Sequence, residues 1–203
     1  DGKVQLWRIP INNARPAELR QFIWTGGSSS CSAFSPDGSF LVNPNAASCV
    51  ELFDFDNNSG VLSNLRSTPA GFFDAYDKIY GIEFSPNSRY FYVSQRNNFQ
   101  NNHSLIWQFP VDLTAFWNGG QLIQGNLPPQ PQISVFLLGQ MLGMQLGPDG
   151  RIYISRYGES FLSTIDSPNL PGLACSYSHS SVSFGNLILI PSTPGVGTFG
   201  LPL

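Results

Sequence analysis

An all-β fold, a β-propeller of about four blades of antiparallel strands in an incomplete ring, is what this sequence predicts, and three observations predict it. The first is composition. Of 203 residues only 11% are charged, against a usual ~25%. Aromatic residues make up 13%, and there are 20 Gly and 16 Pro. A coiled coil or helical bundle needs far more Glu, Lys and Arg, and a disordered chain lacks this many Phe, Tyr and Trp. The second observation is an internal repeat. Phe34-Ser35-Pro36-Asp37-Gly38-Ser39-Phe40-Leu41-Val42 returns as Phe84-Ser85-Pro86-Asn87-Ser88-Arg89-Tyr90-Phe91-Tyr92-Val93, and again as Leu146-Gly147-Pro148-Asp149-Gly150-Arg151-Ile152-Tyr153-Ile154. The third is that each copy is followed by a further strand-like run: Cys49 to Asp56, Leu105 to Val111 and Phe161 to Asp166.

Each repeat has the chemistry of a hairpin. An apolar strand ends, proline presets φ for the turn, and Asp-Gly or Asn-Ser fills the positions that tolerate left-handed φ. A strand rich in β-branched and aromatic residues then leaves the turn. The opening run Val4 to Ile11 has the same character and belongs to an earlier copy. Asn57-Asn58-Ser59-Gly60 turns the first blade into Val61-Leu62, and Phe72-Phe73-Asp74-Ala75-Tyr76 reads as the loop into the next blade, with one turn of helix as the alternative. Three or four short strands in roughly 50 residues make one propeller blade. One partial propeller domain over 1–203 follows, with blades at 1–25 (partial), 28–70, 77–135 and 139–203. A closed ring takes about four to eight blades. Missing blades of the same chain are therefore expected as its partners. The chain opens on Asp1, without Met or a leader pattern, and its first residues already read as a strand, so a fragment that begins inside a fold is expected.

Three stretches carry a family resemblance. One is Glu51-Leu52-Phe53-Asp54-Phe55-Asp56-Asn57-Asn58-Ser59-Gly60 with Tyr80-Gly81-Ile82-Glu83-Phe84-Ser85-Pro86. The second is Gly143 to Ile154. The third is Ser167-Pro168-Asn169-Leu170-Pro171-Gly172-Leu173-Ala174-Cys175 with the closing Phe199-Gly200-Leu201-Pro202. Together they resemble the N-terminal propeller region of very large surface proteins of gliding bacteria that use type IX secretion. The resemblance covers most of residues 31–203. It implies an extracellular or cell-surface, non-catalytic module for adhesion or protein contact, and it brings no catalytic residues. Asn186 to Thr198 departs from the pattern in being longer and more apolar.

Chemistry-bearing motifs are few. The net charge of −3 gives no electrostatic case for nucleic acid, whose binding rests on phosphate neutralisation. No apolar run approaches a membrane span of about 20 residues. His103 and His179 stand among Asn and Ser without a second metal ligand at suitable spacing. There is no Gly-x-Ser-x-Gly elbow, and Gly26-Gly27-Ser28-Ser29-Ser30 lacks the Lys of a phosphate loop. Asp54, Asp56 and Asn58 alternate as in a Ca²⁺ loop, although Gly60 falls one place late and Leu65 stands where a Glu ligand is needed. A solvated turn is the plain alternative, and no cofactor beyond this possible Ca²⁺ is expected. Trp117, with the amides Asn97, Asn98, Asn101 and Asn102, is the candidate surface for a glycan or protein ligand. Trp7 and Trp107 read instead as rings packed between blades. Cys31 and Cys49 precede strands that flank a third, roughly 9–10 Å apart, which is beyond disulfide reach. Cys175 either pairs outside the sequence or stays buried and free. The expected function is a non-catalytic extracellular module and no enzyme. Two alternatives are carried: a propeller lactonase or hydrolase with a channel metal, for which Glu51, Glu83 and Asp77 are the available acids, and a lectin-like propeller. Glu51 and Glu83 read as strand residues that face solvent.

Overall fold

The computed structural model describes residues 3–8, 18–24, 32–45, 49–69, 72–73, 78–96, 104–112, 121–124, 141–156 and 159–183. The chain is a β-propeller. Three four-stranded sheets follow one another, each a meander of antiparallel neighbours in chain order. The first has β3 (Ala33–Phe34), β4 (Phe40–Asn45), β5 (Cys49–Asp56) and β6 (Val61–Ser67). The second has β7 (Lys78–Phe84), β8 (Tyr90–Arg96), β9 (Ser104–Pro110) and β10 (Gln121–Gln124). The third has β11 (Met141–Leu146), β12 (Ile152–Arg156), β13 (Phe161–Ile165) and β14 (Tyr177–Ser183). A two-stranded sheet, β1 (Lys3–Arg8) with β2 (Glu18–Trp24), precedes them. The first strands approach one another, β3 beside β7 and β7 beside β11, so the sheets are blades with their opening strands toward a common axis.

The repeated turns explain why the sequence folds this way locally. Ser35 donates its hydroxyl to Asp37 Oδ1 (2.6 Å) and accepts the Phe40 N–H (2.9 Å), while Ser39 N–H also reaches Asp37 (3.0 Å). Ser85 and Asn87 repeat the arrangement, with Tyr90 N–H to Ser85 Oγ at 3.0 Å and Arg89 N–H to Asn87 Oδ1 at 3.1 Å. Gly38 sits at φ +69°, and a Cβ there would stand 2.1 Å from Asn57 Nδ2. Conformation and space both demand glycine. In the third copy Gly147 replaces the serine because the Tyr153 ring lies 2.5 Å from where its Cβ would be. Asp149 then turns outward to Arg151 Nε (2.6 Å) and the Tyr153 hydroxyl (2.7 Å).

Period-two alternation sorts the second blade into two faces. Phe84, Phe91 and Phe109 stand in one cross-strand row, Glu83, Tyr92 and Gln108 in the next. The phenylalanine row joins Val42, Val50 and Leu52 of the first blade in one buried cluster, which Phe73 also enters. Phe72 and Phe73 are thus core residues on a connection. Trp107 packs edge-on to Phe72 at 5.1 Å and donates its Nε1–H to Gln95 Oε1 at 2.8 Å, as the inter-blade reading expects. Tyr92 and Ile106 instead join Met144, Ile152, Ile154, Ile165 and Cys175 of the third blade.

Candidate functional site

The polar row of the second blade builds the site. Glu83 lies on the axial strand β7, next to its last residue. Strand alternation sends Phe84 into the first seam and Glu83 toward the third blade. Its carboxylate accepts its own strand's Phe84 N–H on Oε1 (2.8 Å) and, across the seam, the Leu146 N–H of β11 on Oε2 (3.0 Å). The group is half-buried. Burial is the largest influence and pushes its pKa above the usual carboxylate range, against the lowering effect of the two N–H donors. Both donors are neutral. The result is a carboxyl disposed to hold a proton between two axial strands.

Beside it in the row, Tyr92 donates its hydroxyl to the Pro168 carbonyl (2.9 Å) and accepts from Gln108 Nε2 (2.6 Å). Gln108 also donates to the Leu170 carbonyl (2.8 Å) and accepts the Gly172 N–H (2.7 Å). Asn87 N–H reaches Asn169 Oδ1 at 3.0 Å. The Asn-Leu-Pro-Gly-Leu-Ala-Cys stretch is therefore the loop that the second blade grips, with Gly172–Cys175 wound into one 3₁₀ turn. Desolvation raises the Tyr92 pKa far above its usual value, so the phenol stays protonated and keeps its donor. Nothing in the sequence singled out Gln108 or Tyr92. Their signal is only their register with Glu83.

Glu51 does not face solvent either. It is 8% exposed, and accepts from Asn43 Nδ2 (3.3 Å) and from Asn45 Nδ2. The solvent-facing reading of Glu51 and Glu83 is corrected, because Glu51 is buried under two asparagine amides of its own blade and Glu83 is turned into the seam with the third blade. Asp77 lies outside the described residues. Asp54 is ion-paired to Arg66 and accepts from Asn64 Nδ2 (2.7 Å). Asp56 accepts the Asn58 N–H (2.9 Å) and the Ser59 hydroxyl (2.6 Å). These bonds hold its pKa down, that of Ser59 most. The Asp54 and Asp56 carboxylates are thus taken up within the hairpin, and Asn58 enters it through its backbone N–H. Among the described residues no group of three or more His, Cys, Asp or Glu is gathered to hold a metal ion. Trp117, Asn97, Asn98, Asn101, Asn102, His103 and Cys31 lie outside the described residues, as does Asn186 to Thr198. The side chain of Trp7 is likewise undescribed. Cys49 and Cys175 are buried and free.

No family model matches the chain, and no curated protein matches it. Solved structures do. A protein from Lactobacillus plantarum superposes with a TM-score of 0.57 at 17% identity, over 90% of this chain and 50% of that one. The periplasmic gluconolactonase PpgL of Pseudomonas aeruginosa superposes with a TM-score of 0.51 at 18% identity, over 90% of this chain and 49% of that one. The chain spans about half the length of the solved structures it matches. At these identities the likeness shows the propeller fold. It also corrects the expectation of a non-catalytic module and no enzyme. That expectation rested on the repeat architecture, the family resemblance and the lack of convergent ionisable residues, whereas the gluconolactonase is an enzyme on this blade architecture. Nothing in these comparisons points to gliding-motility or type IX secretion proteins.

Proposed function

We propose that this chain is part of a propeller-type sugar-lactone hydrolase in which Glu83 carries the proton. The observation that carries the reading is a half-buried carboxyl, shifted toward its protonated form, on the axial seam of a fold shared with a gluconolactonase. Hydrolysis of a lactone adds water to the carbonyl carbon and breaks the bond from that carbon to the ring oxygen. The water loses a proton and the leaving oxygen gains one. A carboxyl with a raised pKa serves such a transfer near neutral pH. The Phe84 and Leu146 N–H groups fix its two oxygens, which spares the reorganisation a mobile side chain would need. The location that goes with this reading is outside the cytoplasm, as for the periplasmic neighbour.

The test is hydrolysis of glucono-δ-lactone by the intact protein, followed by pH-stat. Acceleration over the spontaneous rate is expected, with kcat falling at least about a hundredfold in Glu83→Gln, the usual scale of a lost general acid or base. Circular dichroism and melting of the variant report whether the fold is kept. A wild-type protein without acceleration, or a folded Glu83→Gln with unchanged kcat, refutes the reading.

A further inference from the structure

The three repeated turns are locked in two different ways. In the first two blades a serine does it from inside the turn. Ser35 Oγ accepts the Phe40 N–H at 2.9 Å, and Ser85 Oγ accepts the Tyr90 N–H at 3.0 Å. Each hydroxyl also donates to the side chain two residues on, Asp37 at 2.6 Å and Asn87 at 2.8 Å. The third blade has Gly147 at this place and no hydroxyl to give. Glycine leaves the backbone freer than serine does. Tyr153, on the paired strand β12, takes over. Its Cε2 lies 2.5 Å from where a Cβ on Gly147 would stand. Its hydroxyl donates to Asp149 Oδ2 at 2.7 Å, and Arg151 Nε holds the same oxygen at 2.6 Å. The Arg151 guanidinium is 5.4 Å from the Tyr153 ring centroid. The ring is therefore held at its tip and along its face.

What this lock holds is the end of β11. The Gly147 N–H runs to the Arg151 carbonyl at 2.8 Å, toward β12. Successive N–H groups of a strand point to opposite sides, and β11 is the edge strand of its sheet. The Leu146 N–H therefore leaves by the free edge, where it meets Glu83 Oε2 at 3.0 Å. The donor that Glu83 uses belongs to the residue just before the glycine that Tyr153 covers.

We propose that Tyr153 is a positioning residue for Glu83: braced on Asp149 and packed on Gly147, its ring holds the end of β11 so that the Leu146 N–H stays on the carboxylate. The part this plays in catalysis rests on the lactonase reading, and the coupling rests on geometry alone. The Leu146 bond lowers the Glu83 pKa against the effect of burial, so its loss lets that pKa rise further. Tyr92 faces Glu83 across the β7–β8 pair and stays protonated. Tyr90 stands two residues earlier on β8. Beyond the end of β11, Asp149 and Arg151 are ion-paired, and Asp149 titrates only at about 2. These groups keep their charge while Glu83 titrates, so its pKa reports the hydrogen bond.

The test is carbon-13 NMR titration of the Glu83 carboxyl in the intact protein, beside the pH profile of kcat on glucono-δ-lactone. Tyr153→Ala is expected to raise the Glu83 pKa by about half a unit to one unit, the worth of one hydrogen bond. The matching limb of the kcat profile should move by the same amount. Adding Gly147→Ser to Tyr153→Ala is expected to bring both back, because the serine of the first two blades then fits where the ring stood. Circular dichroism reports whether each variant keeps the fold. Should Tyr153→Ala fail to fold, Tyr153→Phe removes only the Asp149 tether and is expected to shift the pKa the same way by less. An unchanged Glu83 pKa in the folded variant, or a double variant that stays shifted, overturns the proposal. A shifted and rescued pKa without lactone hydrolysis upholds the positioning and refutes the lactonase reading alone.

Discussion

The two faces of the second blade solve the same packing problem in opposite ways. Toward the first blade, Phe84, Phe91 and Phe109 form a dry row, with Phe91 and Phe109 stacked at 5.1 Å and 13°. Toward the third, Glu83, Tyr92 and Gln108 form a hydrogen-bonded row that reaches Leu146, Pro168, Leu170 and Gly172. The apolar face draws its stability from area removed from water and accepts any close-packed neighbour. The polar face specifies its neighbour, because each buried donor must find one acceptor in one place. Adhesion between blades is assigned to one side and register to the other, and the proton-holding carboxyl sits on the side where position is fixed.

The strongest way to break this contrast is Phe109→Ala. Truncation of a fully buried ring is expected to cost about 3–5 kcal/mol, read as a fall in the midpoint of urea unfolding. Gln108→Ala comes next. It strands the Leu170 carbonyl and the Gly172 N–H, and about 1–3 kcal/mol is expected for a buried group left unsatisfied. Hydrogen exchange should then speed up in residues 168–175 before it does in the phenylalanine row. Tyr92→Phe removes one hydroxyl and leaves the ring, for a loss of about 0.5–1.5 kcal/mol. Equal exchange in both regions for the Gln108 and Tyr92 variants would show that the two faces do not divide the work.

The smallest effect is the most diagnostic. Glu83 holds its proton more tightly folded than unfolded. Folding therefore takes up a proton between the ordinary carboxyl pKa and the raised one. Stability falls as pH rises through that window. Glu83→Gln cannot titrate, so its stability relative to wild type should improve from about pH 4 toward neutrality. A parallel pair of curves would mean that Glu83 titrates as in the unfolded chain. Asp149 has the opposite sign. The Tyr153 hydroxyl first, and Arg151 next, lower its pKa to about 2, so any contribution it makes is present above the ordinary carboxyl range and lost as pH falls toward that value.

The hairpins were legible because their cause is local. Ser35-Pro36-Asp37-Gly38 and Ser85-Pro86-Asn87-Ser88 contain their own hydrogen bonds, so the residues that form each turn are the residues that announce it. The strand after each turn was legible for the same reason. The site was not. Glu83 and Glu51 stand in alternating strands, where the outward position of an ordinary sheet meets water. In a propeller the outward face of one blade is the inward face of the next. Residues read as solvated are therefore buried, and the Glu83 carboxylate crosses to Leu146, a partner that no local pattern connects to it, while Glu51 is met by Asn43 and Asn45 of its own blade.

The sequence by itself determined the blades, since turn chemistry and period-two alternation are properties of neighbouring residues. Only the tertiary structure decided which polar residues lie between blades, because that depends on the neighbour each sheet meets. Glu83 and Gln108 differ little in the sequence from any other polar strand residue. Desolvation at a seam, together with one or two partners from a distant segment, gives each of them its chemistry.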